Sequence, residues 1–105
     1  MSRIKICGLR RPEDIAAVNE ARPDYCGFIV EYPKSRRSID RTTLRELVRG
    51  LREKIVPVGV FVNATKELVA ELLEEGTIQI AQLHGQESQE YIQELKVLTE
   101  KPLIQ

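Results

Sequence analysis

Short apolar runs alternate along the chain with segments of helical period. Five runs are rich in Ile, Val and Phe and mostly lack polar alternation, which is typical of strands covered on both faces. They span residues 3–7, 25–30, 55–62, 78–83 and 102–105. Because each return to the sheet would pass through a helical crossover, the strands must be parallel. The alternation therefore predicts an α/β fold of parallel βα repeats.

Capping residues and apolar spacing predict four helices between these strands. The first begins at Pro12, a favoured first-turn residue, and stops before Pro23. The others begin after a side chain that can cap a helix, namely Asp40, Thr65 and Ser88. The predicted core faces are Ile15, Val18 and Ala21; Leu44, Leu47, Val48 and Leu51; Val69, Leu72 and Leu73; and Tyr91, Ile92, Leu95 and Leu98.

Two architectures fit such repeats, an open doubly wound sheet and part of a closed (βα)8 barrel. The G-x-G-x-x-G fingerprint of a dinucleotide fold is absent after the first run, where "CGLRRP" offers one glycine. The sequence also stops within the fifth predicted strand. We therefore expect half of a TIM barrel, a single domain over residues 1–105 that is truncated in strand five.

Charge and composition exclude several classes of partner. Sixteen basic and sixteen acidic residues cancel, so no overall field favours nucleic acid or an anionic membrane. Two cysteines form no disulfide framework and favour a reducing cytoplasm. No apolar run approaches the ~18 residues of a membrane span. Neither metal-ligand spacing nor a P-loop occurs, so we expect no metal site and no nucleotide site of the P-loop type.

Cys7 ends the first strand and precedes Gly8, at the edge where strand-to-helix loops gather. A cysteine there has two interpretations. It packs as a small hydrophobe, as most free cysteines do, or its thiol acts as a general base or nucleophile. Cys26 lies inside the second strand and is assigned to packing.

Basic residues follow the second strand, and the only histidine, His84, follows the fourth. The basic residues are Lys34, Arg36, Arg37 and Arg41. A charge run is usually a solvated loop, but guanidinium groups at the same edge as Cys7 also suit a carboxylate or phosphate. His84 is either a hydrogen-bonded loop residue or part of the same site. A direct Cys7–His84 pair is not expected, because strands one and four are not neighbours.

Four segments in this order resemble the phosphoribosylanthranilate isomerase family of tryptophan biosynthesis. They are "KICGLRRPEDI", "DYCGFIVEYPKSRRSI", "VGVFVN" and "AQLHGQES". The resemblance covers the whole chain and implies the N-terminal half of an eight-stranded barrel about twice this length. It also implies a cofactor-free Amadori rearrangement of N-(5-phosphoribosyl)anthranilate to carboxyphenylamino-deoxyribulose phosphate.

The resemblance assigns roles to four residues of this sequence. Cys7 falls on the family's general base and Arg37 on the arginine that holds the anthranilate carboxylate. Gln82 and His84 fall on the segment that lines the substrate pocket. "GFIVEYPKS" carries one residue more than the usual form, which puts the angle of Arg37 in question. The family's general acid, an aspartate, and its phosphate-binding loops have no counterpart in these 105 residues.

Three hypotheses follow for what the chain does. The first is an isomerase half that is inactive or nearly so alone. The second is a half-barrel that covers its open edges by forming a homodimer or by pairing with a complementary C-terminal half. The third is an open, flavodoxin-like domain that binds a small anion through the basic loop.

Overall fold

A computed structural model describes residues 5–32, 34, 36, 38–83, 85 and 87–104. The elements in chain order are β1 (Lys5–Cys7), α1 (Pro12–Ala21), β2 (Tyr25–Val30), β3 (Ser38–Ile39), α2 (Arg41–Arg49), β4 (Val56–Phe61), α3 (Lys66–Glu74), β5 (Ile80–Leu83), α4 (Gln89–Leu98) and β6 (Leu103–Ile104). The predicted alternation is confirmed: β2 has the predicted bounds, and β4 and β5 begin one and two residues inside the predicted runs. Predicted strand residues 3, 4 and 105 lie outside the described residues.

All strand pairs are parallel, and the main strand order is β1-β2-β4-β5-β6. The main strands therefore follow one another across the sheet in chain order. A doubly wound sheet instead reverses direction at a topological switch point. The described strands contain no such reversal, so the fold is half of a (βα)8 barrel and the flavodoxin-like hypothesis is wrong.

Strand β3 was not predicted, because two residues are too few to show any periodicity. It pairs with the last two residues of β2, beyond the segment that pairs with β1: Ile29 pairs with Ser38 and Val30 with Ile39. The Glu31 amide donates to the Ile39 carbonyl at 2.8 Å, and the Tyr32 amide donates to the Ser38 hydroxyl at 2.6 Å. Both ends of the basic loop after β2 are thus fixed to each other.

One face of the sheet packs against the helices. In β2 this face carries Cys26, Phe28 and Val30, all completely buried. Cys26 is therefore a packing residue, as predicted. In β4 and β5 the matching buried residues include Phe61 and Ala81, and Leu72 and Leu73 of α3 are buried with them.

The predicted caps of α2, α3 and α4 are confirmed. The side chains of Asp40, Thr65 and Ser88 each accept a hydrogen bond from the backbone amide three residues on. These bonds satisfy donors that the first helical turn leaves without intrahelical partners. The caps fix where each helix starts after its strand.

Two residues predicted for the helical core faces are exposed. Ala21 is the last residue of α1, and Arg22 follows it in the left-handed conformation, with φ 54°; the buried residue at this end is Pro23. Leu98 ends α4 with 43% of its surface exposed, and Thr99 is buried instead. In both cases the helix ends where the apolar period would have continued. The other predicted core residues are buried or half-buried.

Candidate active site

The chain turns sharply at the carboxyl ends of three strands. Gly8 follows β1 directly with φ 82°, Glu31 follows β2 directly with φ 47°, and Asn63 lies two residues after β4 with φ 52°. Asn tolerates this left-handed conformation and Gly adopts it freely, whereas Glu rarely does. Because the three strands are parallel, their carboxyl ends lie at the same edge of the sheet, and the three loops begin there.

Strand register relates Cys7 to Gln82, two of the predicted site residues. Cys7 pairs with Gly27, Gly27 with Val58, and Val58 with Ile80. Gln82 lies two residues beyond Ile80 on β5, and successive residues of a strand alternate between faces. Cys7 and Gln82 therefore occupy positions of the same sheet face, opposite the one that packs on the helices. Gln82 is half-buried.

Arg37 and His84, the other two predicted site residues, lie outside the described residues. Their neighbours Arg36 and Gly85 are described and exposed. The Arg36 carbonyl accepts a hydrogen bond of 3.0 Å from the Arg10 guanidinium. The loop after β1, which follows Cys7, thus contacts the basic loop after β2.

Arg41 does not add free positive charge to the basic loop, in contrast to the sequence interpretation. Its guanidinium donates to Glu31 Oε2 at 2.8 Å and to Glu71 Oε2 at 3.0 Å. Arg45 forms similar ion pairs with Glu71 and Glu75. The hydrogen bond from Arg41 holds the pKa of Glu31 below its ordinary value. These partners come from α3 and from the end of β2, so the sequence pattern could not show them.

Glu87 joins two loops of this edge and was not predicted. Its Oε2 accepts from the Asn63 amide and its Oε1 accepts from the Gly85 amide, each at 2.9 Å. The loop between β4 and α3 is thereby fixed to the loop between β5 and α4. Asn63 and Glu87 are 24 residues apart in sequence. No local motif marks such a contact.

Tyr91 makes a second connection between the same loops. Its hydroxyl donates to the Ala64 carbonyl at 2.8 Å. Burial, together with the smaller effect of the negative charges of Glu87 and Glu67, raises the pKa of Tyr91 to about 12. A cavity of about 350 Å³ lies beside this connection and is lined by Asn63, Ala64, Thr65, Glu87, Ser88 and Tyr91.

Three further features of the described residues would be signs of another functional site: a second cavity, metal-binding groups and membrane-spanning helices. A cavity of about 590 Å³ lies at the opposite end of the sheet, between Arg22 and Ile55, and its lining mixes both charge signs. Among the described residues, no group of three or more His, Cys, Asp or Glu is placed to hold a metal ion. None of the described helices has the length and apolar character that crossing a membrane requires.

Comparison with known proteins gives one consistent result. The sequence model of N-(5'-phosphoribosyl)anthranilate (PRA) isomerase matches residues 4–104. A PRA isomerase of Acetivibrio thermocellus is 46% identical over 98 residues, which are 93% of this chain and 44% of that protein. The chain therefore spans about half the length of the curated relatives it matches.

Solved structures agree with the sequence matches. The crystal structure of the Thermotoga maritima isomerase superimposes with a TM-score of 0.84 at 35% identity, over 99% of this chain and 49% of that one. A structure of the isomerase in complex with reduced 1-(o-carboxyphenylamino)-1-deoxyribulose 5-phosphate gives 0.81 at 35% identity, over 92% of this chain and 50% of that one.

Proposed function

The chain belongs to the N-(5'-phosphoribosyl)anthranilate isomerase family, and we propose that it supplies the proton-abstracting and anthranilate-binding part of such an active site. The observation that carries the proposal is the match over residues 4–104, together with parallel strands in chain order. The reaction is an Amadori rearrangement in tryptophan biosynthesis, needs no cofactor, and takes place in the cytoplasm.

Cys7 is the proposed general base. In the rearrangement an acid opens the ribose ring to a Schiff base, and a base then removes the proton from the neighbouring carbon. A thiolate can do this only if a nearby cation or dipole lowers its pKa. The contact of Arg10 with the Arg36 carbonyl supports such a role for the basic loop, because it joins that loop to the one following Cys7.

Arg37, Gln82 and His84 are the proposed substrate-binding residues. A guanidinium suits the anthranilate carboxylate because its planar donors match two carboxylate oxygens. Gln82 lies on β5, on the same face of the sheet as Cys7 by register, which supports its placement beside the substrate. His84 follows one residue after the end of β5 in the sequence.

We further propose that residues 1–105 form one half-barrel domain that works with a second half-barrel. The general acid and phosphate-binding loops implied by the family have no counterpart here, and losing an acid alone costs a factor of ~10² to 10⁴. The face opposite the helices carries half-buried Tyr25, Ile29, Val60 and Ile80, and Ile104 of β6 is 45% exposed. These apolar residues favour a partner that completes the barrel.

Self-association is the second candidate, because the same apolar face could be covered by another copy of the chain. Sedimentation equilibrium at micromolar concentration separates the cases. A stable dimer would favour two copies closing on each other. A well-folded monomer would contradict the argument from open edges.

A chimera tests the proposed function directly. These 105 residues replace the matched segment of the Acetivibrio thermocellus relative, and the remainder of that protein is kept. We expect the chimera to convert N-(5-phosphoribosyl)anthranilate, followed by its fluorescence, and the 105 residues alone to give no measurable turnover. A chimera that folds, as judged by circular dichroism, and yet shows no turnover would contradict the proposal.

A further inference from the structure

We propose that Glu87 is a positioning residue for the substrate-binding end of β5, an inference that rests on the proposed function. Its carboxylate fixes the segment after β5 to the loop after β4. We infer that this contact positions Gln82 and His84 for binding the substrate. Glu87 would not itself touch the substrate.

The first argument is the geometry of the two hydrogen bonds. Each carboxylate oxygen accepts a hydrogen bond of 2.9 Å from one backbone amide, Oε2 from that of Asn63 and Oε1 from that of Gly85. Hydrogen bonds to an ionised acceptor are about twice as strong as neutral ones. A single side chain thus holds two neighbouring strand-to-helix loops by their backbones, which leaves little freedom at either point.

The second argument is the close approach of the two loops at Gly85. A Cβ atom built on Gly85 would lie 2.6 Å from the Asn63 side-chain oxygen Oδ1 and 2.8 Å from the Asn63 amide nitrogen. Neither distance is tolerable for a carbon atom, so only glycine permits this contact. The glycine and the carboxylate together define one packed junction between the loops.

The third argument is where the junction lies. Val60 of β4 and Gln82 of β5 are register partners, and the junction closes just beyond them, at Asn63 and Gly85. His84 is the residue directly before Gly85 in the chain. A shift of the junction would therefore move Gln82 of β5 and the segment after β5 to which His84 belongs in the sequence.

Glu87→Gln is the informative variant because it keeps the shape and removes one acceptor. A carboxylate has two acceptor oxygens, whereas an amide has one oxygen and one NH₂ donor. One of the two backbone amides would then face a donor. Glu90→Gln is the matched control, since Glu90 is exposed in the first turn of α4 and shares the favourable position near the positive helix end.

The first measurement is amide hydrogen exchange in the 105-residue chain. We expect exchange at Asn63 and Gly85 to accelerate roughly ten-fold or more in Glu87→Gln and to stay unchanged in Glu90→Gln. Unchanged exchange in folded Glu87→Gln would overturn the proposal. If that variant does not fold, Glu87→Asp decides, because it keeps both oxygens on a shorter stem. Exchange at Asn63 and Gly85 that is faster in Glu87→Asp than in wild type supports the proposal, and exchange equal to that of wild type overturns it.

The second measurement is the kinetics of the chimera. We expect Glu87→Gln to raise KM about ten-fold with kcat changed less than about three-fold, and Glu90→Gln to match the parent. A purely structural defect would lower the amount of active protein, and hence the apparent kcat, at unchanged KM. That result would overturn the positioning role. An inactive parent chimera would instead count against the proposed function, and the exchange experiment would still decide whether Glu87 fixes the loops.

Discussion

The guanidinium of Arg41 lies 2.8 Å from the carboxylate of Glu31, which joins the first residue of α2 to the residue that follows β2. The backbone amide of Arg41 donates to the same carboxylate oxygen at 3.2 Å. Glu31 has a left-handed backbone at φ 47°, an unfavourable conformation for this residue type. These bonds offset the backbone cost and hold the start of the basic loop.

Replacing Arg41 should lower stability in a salt-dependent manner. Arg41→Met removes the guanidinium partner of Glu31 and one of the two guanidinium partners of Glu71, so we expect the midpoint of thermal unfolding to fall by about 2 to 5 °C at low salt. The difference from wild type should shrink in 1 M salt because exposed charges are screened. Arg49→Met, at the other end of α2, should have a smaller effect. An equal loss in both variants would show that the ion pairs with Arg41 do not stabilise the fold.

Tyr91 should make stability decrease at alkaline pH. Its pKa is raised from 10.0 to about 12, so the folded chain retains the hydroxyl proton at pH values where the unfolded chain releases it. Its contribution is therefore complete below pH 10 and is lost as pH rises towards 12. We expect the free energy of unfolding of wild type, measured with urea, to fall more steeply across this interval than that of Tyr91→Phe. If the free energy of unfolding had the same pH dependence in wild type and Tyr91→Phe, the raised pKa of Tyr91 would be contradicted.

The two faces of the helical layer should differ in their tolerance of truncation. Leu72 is fully buried, and Leu72→Ala should reduce the free energy of unfolding by about 3 kcal/mol. Leu98 is 43% exposed, and Leu98→Ala should cost less than about 1 kcal/mol. Denaturant titration of both variants provides the comparison. Similar losses would mean that Leu98 is covered, as the helical period predicted.

The sequence predicts those parts of the fold that leave a local pattern. Apolar spacing predicts the strands and helices, and capping residues such as Asp40 and Thr65 directly precede their helices. The exact end of a helix depends on what lies beneath it, so Ala21 and Leu98 were assigned to the wrong face. The prediction of the parallel sheet did not need those ends.

Contacts between distant loops leave no such pattern. Glu87 bonds to an amide 24 residues away, and Arg41 finds its carboxylates on β2's end and on α3. From sequence, Glu87 was one of many acidic residues and Arg41 one of four cations in a basic stretch. Only the three-dimensional arrangement of the loops distinguishes them. The roles of Cys7, Arg37, Gln82 and His84 stay predictions.

The most direct test of the account is the kcat/KM of the chimera with Cys7→Ala, compared with the matched variant Cys26→Ala. Cys26 is buried on the helix-packed face, so its replacement should leave kcat/KM of the folded protein within about three-fold of the parent. Loss of a general base at Cys7 should lower kcat/KM by a factor of ~10² to 10⁴. Equal activity of the two variants would contradict the claim that this chain carries the base of the rearrangement.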